Sequence, residues 1–482
     1  MRGSIAVEIV QVVRAARGSI AVVTVLAGRA ARGSIAVVMV LAGRAARGSI
    51  AVVMVLVALA GCGGTPGRGG SPTDPGGPPG TGTSSGAPGQ SSASGGPSPD
   101  GTGGPSDHAV GSITPVPMPG TAPAALPADP ARCAQPALSM DDLRAAPSAS
   151  PWRVVSRGEG HGRLDDLAVG GDGAVWATHS TQRRETGGVV ETFEGLRRWD
   201  GARWESFPLP RAAVTAVGAV SGELAWAFGQ SGQVGTFSDG RLVPGRFAGR
   251  DGSGIGLYGT AARGPWVVSG RTALRWDGSA WQAYRLPVGA SAVGGEGANV
   301  WTVSAAVSPA QPAAHRSSAR PQPAARWNGS AWQAVGVPEL GLPRKVSSPR
   351  AHLDDVAVLG TDDVWAVGGV SWLAPGKTDA QGEPLEILRP VALHWDGGGW
   401  RCLWGASGRT FTQAEPDGRG GVWVLDSTGS RLLHHAGGRW TSTEIAGTVT
   451  TLSHRPGSDE VYAAGSTPNT TDLTQVTLWR NH

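Results

Sequence analysis

Seven residues occur twice in this chain: Arg275–Trp281 reads RWDGSAW and Arg326–Trp332 reads RWNGSAW, with only Asp and Asn exchanged. The shared pattern, aromatic-Asp/Asn-Gly-x-x-Trp, recurs at Trp199/Trp204 and Trp395/Trp400, and degenerate copies run His435–Trp440 (HAGGRW) and Phe237–Leu242 (FSDGRL). Asp-Gly between apolar residues predicts a hairpin, because both central residues of a type I′ turn need positive φ. Two Trp five apart across a tight even-length turn share one face, and that large apolar patch has to pack on something. A chain that keeps writing such hairpins can bury them against one another.

A second marker precedes each hairpin. LDDLAVGGDGAVW ends at Trp176 and LDDVAVLGTDDVW at Trp365, with matching segments ending at Trp226, Trp266, Trp301, Trp423 and Tyr462. Each reads as strand, polar turn, strand. One repeat is then four short strands, and repeats of this length and strand content predict a β-propeller. Seven markers predict an all-β, seven-bladed β-propeller of four-stranded blades. Its last marker, at Tyr462, reaches only VTLWRNH, whereas Pro151–Arg157 (PWRVVSR) reads as a fourth strand without a third. The N-terminal strand is therefore expected to close the last blade, which leaves no long free edge.

The W-D-G-x-x-W and D-D-V-W-A-V-G units resemble those of secreted β-propeller lipoproteins of high-GC Gram-positive bacteria, grouped with kelch and galactose-oxidase-like propellers. The resemblance implies the fold over roughly 330 residues and leaves function open, since propellers host many unrelated activities. Galactose oxidase uses copper ligands that include tyrosines. Here Tyr258, Tyr284 and Tyr462 are the only tyrosines, and they do not suggest such a site. The sialidase Asp-box and the Gly-His of WD repeats are not matched.

Composition sets the boundaries. All 19 Trp, 3 Tyr and 6 Phe lie between Trp152 and Trp479, so residues 151–482 are the part able to bury a core. Residues 1–61 carry seven Arg and one Glu, or +6, which leaves −2 for the remainder of a chain of net +4. A folded part without excess positive charge argues against a nucleic-acid partner.

Within residues 1–61 the hexapeptide RGSIAV begins at Arg2, Arg17, Arg32 and Arg47, and only the last copy runs on into LAGC. Arg44 and Arg47, the apolar run Ile50–Ala60 and small residues before Cys62 follow the plan of a secretory signal. The Cys resembles that of a bacterial lipobox, which implies lipidation at Cys62, a membrane partner through the lipid, and a place on the outer face of the cytoplasmic membrane. The earlier copies end in LAGR or its like and read as tandem duplications, so translation is expected to start downstream of Met1. Residues 62–130 are Gly, Pro, Ser and Thr with few apolar residues, the composition of a disordered tether. Residues 131–150 form a connecting segment.

For chemistry, the chain has no GxSxG, HExxH, P-loop or EF-hand pattern, and its ten His lack ligand spacing. No catalytic residue or cofactor is assigned, and no metal ligand set can be chosen. His434/His435 sits where other repeats carry Arg-Trp and reads as a degenerate strand end. The uneven polar feature is the pair of LDD steps, Asp165/Asp166 and Asp354/Asp355. First strands line a propeller's channel, so these carboxylates could hold a cation or polar ligand; solvated loop residues or turn caps are the plainer alternative. Long segments between second and third strands (TQRRETGGVVETFEG, SPAQPAAHRSSARPQP, APGKTDAQGEPLEILRP) fall on the same side. They point to a monomeric, non-catalytic module that binds a protein or glycan. The alternative is an extracellular glycan-active hydrolase or lyase with a site over the channel.

With Cys62 taken by lipid, Cys133 and Cys402 remain. In an exported protein leftover cysteines most often pair. Their disulfide would pin the connecting segment across the rim; two independent thiols are the other possibility.

Overall fold

The computed structural model describes residues 8–16, 19–30, 33–44, 49–55, 111–118, 133–134, 141–186, 188–209, 214–229, 232–248, 261–305, 316–319, 323–469 and 473–481. Every regular element among them is a β-strand. By its contacts the chain divides into two compact units, and Val110–His482 lies in one of them. The leader repeats give β1 (Glu8–Ala16), β2 (Ser19–Ala30), β3 (Gly33–Arg44) and β4 (Ser49–Val55), a four-stranded sheet in that order. Cys62 lies outside the described residues.

Val110–His482 opens with three short strands, β5 (Gly111–Ile113), β6 (Val116–Pro117) and β7 (Ala146–Pro147), each at the edge of a sheet made by later strands. Antiparallel meanders follow. The first is β8 (Arg153–Val169), β9 (Val175–Glu185), β10 (Gly188–Trp199) and β11 (Trp204–Phe207). Next come β12 (Val214–Ser221), β13 (Leu224–Gly229), β14 (Gln233–Ser238) and β15 (Arg241–Phe247). The third contains β16 (Ala261–Arg263), β17 (Trp266–Trp276) and β18 (Trp281–Ala290). Here β17 doubles back near Gly270 (φ 56°), so that Trp276 N–H donates to Pro265 O at 2.8 Å.

The fourth meander is β19 (Ala292–Glu296), β20 (Asn299–Val303), β22 (Ala324–Trp327) and β23 (Trp332–Val335). Its insert β21 (Arg316–Ala319) pairs instead with the fifth meander, β24 (Leu340–Gly360), β25 (Asp363–Thr378), β26 (Pro384–Trp395) and β27 (Trp400–Trp404). The sixth is β28 (Phe411–Pro416), β29 (Val422–Asp426), β30 (Arg431–Ala436) and β31 (Arg439–Glu444). Last come β32 (Thr448–His454), β33 (Val461–Pro468) and β34 (Thr474–Arg480). They join the first meander in one seven-stranded sheet, because the first half of β8 pairs with β34 (Arg153↔Arg480, Val154↔Trp479) and its second half with β9.

The first strands are neighbours in series: β8 beside β12, then β16, β19, β24, β28 and β32, with β32 beside β8. Seven apolar clusters lie among the described residues, each shared by two consecutive meanders; Val461, Trp479 and Trp152 join the sixth to the last, and Leu478 and Leu164 the last to the first.

The repeated heptapeptide is the stitch between them. Hairpin Trp pairs lie directly opposite (Trp199↔Trp204, Trp276↔Trp281, Trp327↔Trp332, Trp395↔Trp400). Each later pair packs on the marker Trp of the preceding repeat: Trp276 and Trp281 on Trp226, Trp327 and Trp332 on Trp266, Trp395 and Trp400 on Trp301, with centroids 5.2–5.9 Å apart. The residue before the first hairpin aromatic lies against the marker Trp of its own repeat: Arg198 by Trp176, Arg275 by Trp266, Arg326 by Trp301, 5.6–5.8 Å from guanidinium to centroid. His394 and His434 take that position on Trp365 and Trp423, stacked at 4.2 and 4.1 Å. His434 is thus a variant of the Arg position, with Asp417 Oδ2 2.8 Å from its Nε2.

The turns correct one expectation. In the W-D/N-G-x-x-W copies only Gly has positive φ (Gly278 106°, Gly329 95°). Asp277 Oδ1 instead accepts from Ser279 and Ala280 N–H at 2.9 and 2.8 Å, and Asn328 Oδ1 from Ser330 and Ala331 N–H at 3.0 and 2.9 Å. The side-chain oxygen closes a four-residue loop, a service that Asp and Asn perform equally. The type I′ turns, with two positive φ, are in the degenerate copies, at Asp239-Gly240 and Gly437-Gly438.

A second correction concerns the tether. Residues 111–113 and 116–117 are strands, although composition places them in a disordered segment ending at 130. β5 adds parallel to β15, β6 to β18 and β7 to β31, each on the outermost strand of its sheet. Between them Cys133 bridges Leu340 and is joined to Cys402 (Cα–Cα 5.9 Å), and Trp404 Nε1 donates to Ala134 O at 3.1 Å. Free edge amides offer partners to any extended chain, and Ile113 and Met118 supply the apolar anchors.

Candidate functional site

The four acidic residues singled out by sequence lie on two first strands, each pair at a break in register (Leu164/Leu167 in β8, Leu353/Asp355 in β24). The inner member ties its strand to the next. Asp166 Oδ2 accepts from Val217 N–H of β12 at 2.8 Å, and Asp355 Oδ2 from Ala414 N–H of β28 at 3.0 Å. Gln413 does the same from β28, accepting Leu452 N–H of β32 at 2.6 Å. Its amide lacks the charge that drew notice to the aspartates. Where no such side chain serves, backbones approach directly: a Cβ on Gly294 would stand 2.0 Å from Val356 O.

The outer members act within their own sheets. Asp165 accepts from Arg163 Nε at 2.5 Å and from the Ser180 hydroxyl, and Asp354 Oδ2 lies 2.8 Å from His352 Nδ1. Asp166, Asp354 and Asp355 border one cavity and Asp165 does not. Among the described residues no group of three or more His, Cys, Asp and Glu is placed to hold a metal ion.

That cavity, of about 480 Å³, is lined by the first strands of all the meanders and reaches the turns that follow them at Gly171, Pro265, Gly297 and Pro456. Arg263 of β16 and Glu415 of β28 form a bidentate ion pair, with Nη1–Oε2 at 2.5 Å. Glu415 is 2 % exposed. Sequence reasoning missed this pair, because neither residue stands in a repeated motif and 152 positions separate them. Burial alone would lower Arg263, but the Glu415 carboxylate, with Asp355 and Glu296, holds it above its ordinary value. Burial, then the Glu415 charge, pushes the Asp355 carboxyl up to about 7; Arg263 and two backbone N–H groups work against this. Burial likewise raises Asp166 to about 6.

The long second-to-third segments are hairpins where described. β9 and β10 run past the last β8 partner (Gly162↔Thr181) to Glu185↔Gly188, and β25 and β26 reach Thr378↔Pro384. Alternation in GVVETF and PLEIL suffices to extend the ladders. The third insert is described only as β21, Arg316–Ala319.

No family model matches the chain, and no curated protein does. Among solved structures it is similar to YCF48 bound to D1 peptide (TM-score 0.41, 13% identity, covering 72% of this chain and 98% of that one). It is also similar to the WD40 β-propeller domain of Doa1 (0.35, 10%, 68% and 96%). A third is PorZ, a surface component of the type-IX secretion system of Porphyromonas gingivalis (0.37, 14%, 67% and 48%).

Proposed function

We propose that residues 151–482 form a seven-bladed β-propeller that acts as a non-catalytic binding module for an envelope protein or glycan, tethered at the outer face of the cytoplasmic membrane by a lipid on Cys62. The serial contacts of first strands, ending where they began, and the seven shared clusters support the seven-bladed reading. The LAGC step at Cys62 supports the anchor. One observation carries the functional reading. The first-strand carboxylates Asp166 and Asp355 are engaged by backbone amides of neighbouring strands, while two hairpins project with exposed tips at Arg183, Arg184, Glu185, Lys377 and Glu383. In a propeller the second-to-third turns share one face, and a rigid scaffold presenting variable hairpins is a binding surface.

The test compares the intact chain with one in which both projecting tips are cut back to short turns, offered to wall glycan and to envelope extract. Intact protein should capture a saturable partner that the trimmed protein loses. Equal capture by both would sink the binding-face reading. Turnover of a glycan library that disappears in Asp165→Asn/Asp354→Asn would favour a hydrolase or lyase instead.

A further inference from the structure

The cavity between the first strands is a second place where this molecule can take a ligand. Its lining carries the carboxylates of Asp166, Glu296, Asp354, Asp355 and Glu415 against the single guanidinium of Arg263. Arg263 engages both oxygens of Glu415, so the chain itself shows which chemistry the lining accepts: a planar cation held by a carboxylate fork. That pairing leaves Glu296, which is exposed at the end of β19 and has no hydrogen-bond or ion-pair partner among the described residues. It lines this cavity and also an adjoining hollow of about 740 Å³ that shares Arg263 and His454. Ser453 lines the cavity as well; it is 4 % exposed, and its hydroxyl has no partner among the described residues. A hydroxyl that faces the cavity and has no protein partner can donate to or accept from a ligand there.

We propose that the cavity binds an organic cation, a guanidinium or primary ammonium group, between the Glu296 carboxylate and the Ser453 hydroxyl, beside the Arg263–Glu415 pair. The volume is of the size that small-molecule sites use. The surplus of carboxylates over guanidinium in the lining supplies the attraction. The cation is borne either by a free small molecule or by the side chain of a peptide entering past the first-hairpin turns.

Calorimetric titration of the intact chain decides this. The probes are argininamide, its neutral isostere citrullinamide, the peptide acetyl-Gly-Gly-Arg-Gly-Gly-amide, and calcium chloride. Argininamide or the Arg peptide should bind saturably one to one, citrullinamide should not, and Glu296→Gln should weaken binding about tenfold. Ser453→Ala should weaken it less. Binding of free argininamide identifies a small-molecule site, and binding of the peptide alone identifies a partner's side chain. Glu296 is exposed at a turn, so its variant should melt with the parent, which separates loss of ligand from loss of fold. Equal heats with citrullinamide, an unaltered Glu296→Gln titration, or uptake of calcium with none of argininamide would each overturn the proposal.

Discussion

At Trp176, Trp266 and Trp301 one indole carries an Arg of its own repeat on one side and aromatic groups of the next repeat on another. The RW of the heptapeptide thus serves two contacts, one within its own sheet and one with the preceding sheet. This much could be read from the spacing of Trp alone, because a paired Trp patch has to be buried. The Arg-on-Trp half could not, since it depends on which residues oppose each other across a ladder. His179 had no sequence signal either. It is 2 % exposed, both ring nitrogens lack partners, and burial, then Arg197, lowers its pKa to about 4. A depressed histidine favours folding fully above its unfolded value near 6.5, and that contribution is lost as pH falls through about 4. The lost share is about 3 kcal/mol at most. His179→Leu should therefore gain on the parent in urea midpoint at pH 4.5 compared with pH 7.5. An identical difference at both pH values would show that His179 does not titrate on unfolding.

At the scale of elements, strand identity followed from alternation and turn residues, whereas edge partners did not. The short strands β5, β6 and β7 come from segments that composition marks as linker or connector, and their order comes from main-chain pairing with β15, β18 and β31, which has little sequence signature. The Cys133–Cys402 link was legible as the pairing of the two cysteines that remain once Cys62 is set apart. Because the disulfide lies beyond β6, it does not by itself hold β5 and β6 in place. A chain beginning at residue 110 and one beginning at 125 both retain the disulfide, yet only the first covers the edges of β15 and β18. The shorter chain should melt several degrees lower and aggregate sooner, as uncovered edges do. Coincident melting curves and light scattering would mean that the two strands add nothing to the fold.

Across the whole unit from Val110 to His482, the site depends on distances that local patterns do not encode. Asp166, Asp355 and Gln413 act alike only because each first strand lies beside the next, and Arg263 meets Glu415 across 152 positions. The pairing of the last strand with β8, by contrast, was visible as two fragments with complementary deficits. β34 lacks an outer partner in its own segment, and the start of β8 lacks an inner one; they pair from Arg153↔Arg480 to His161↔Gln475. Trp479, 3 % exposed, packs in the cluster that joins Val461, Leu452 and Trp152 to Trp423 of the preceding sheet. Removing it would open a cavity where β34 meets the start of β8. Trp479→Ala should cost about 3–5 kcal/mol. Because every sheet is packed on two others, that loss should appear as one cooperative transition shifted to lower denaturant, with tryptophan fluorescence and far-ultraviolet circular dichroism moving together. Two separated transitions, with the last sheet melting first, would show instead that the end-to-end pairing is a local clasp and the remaining sheets stand without it.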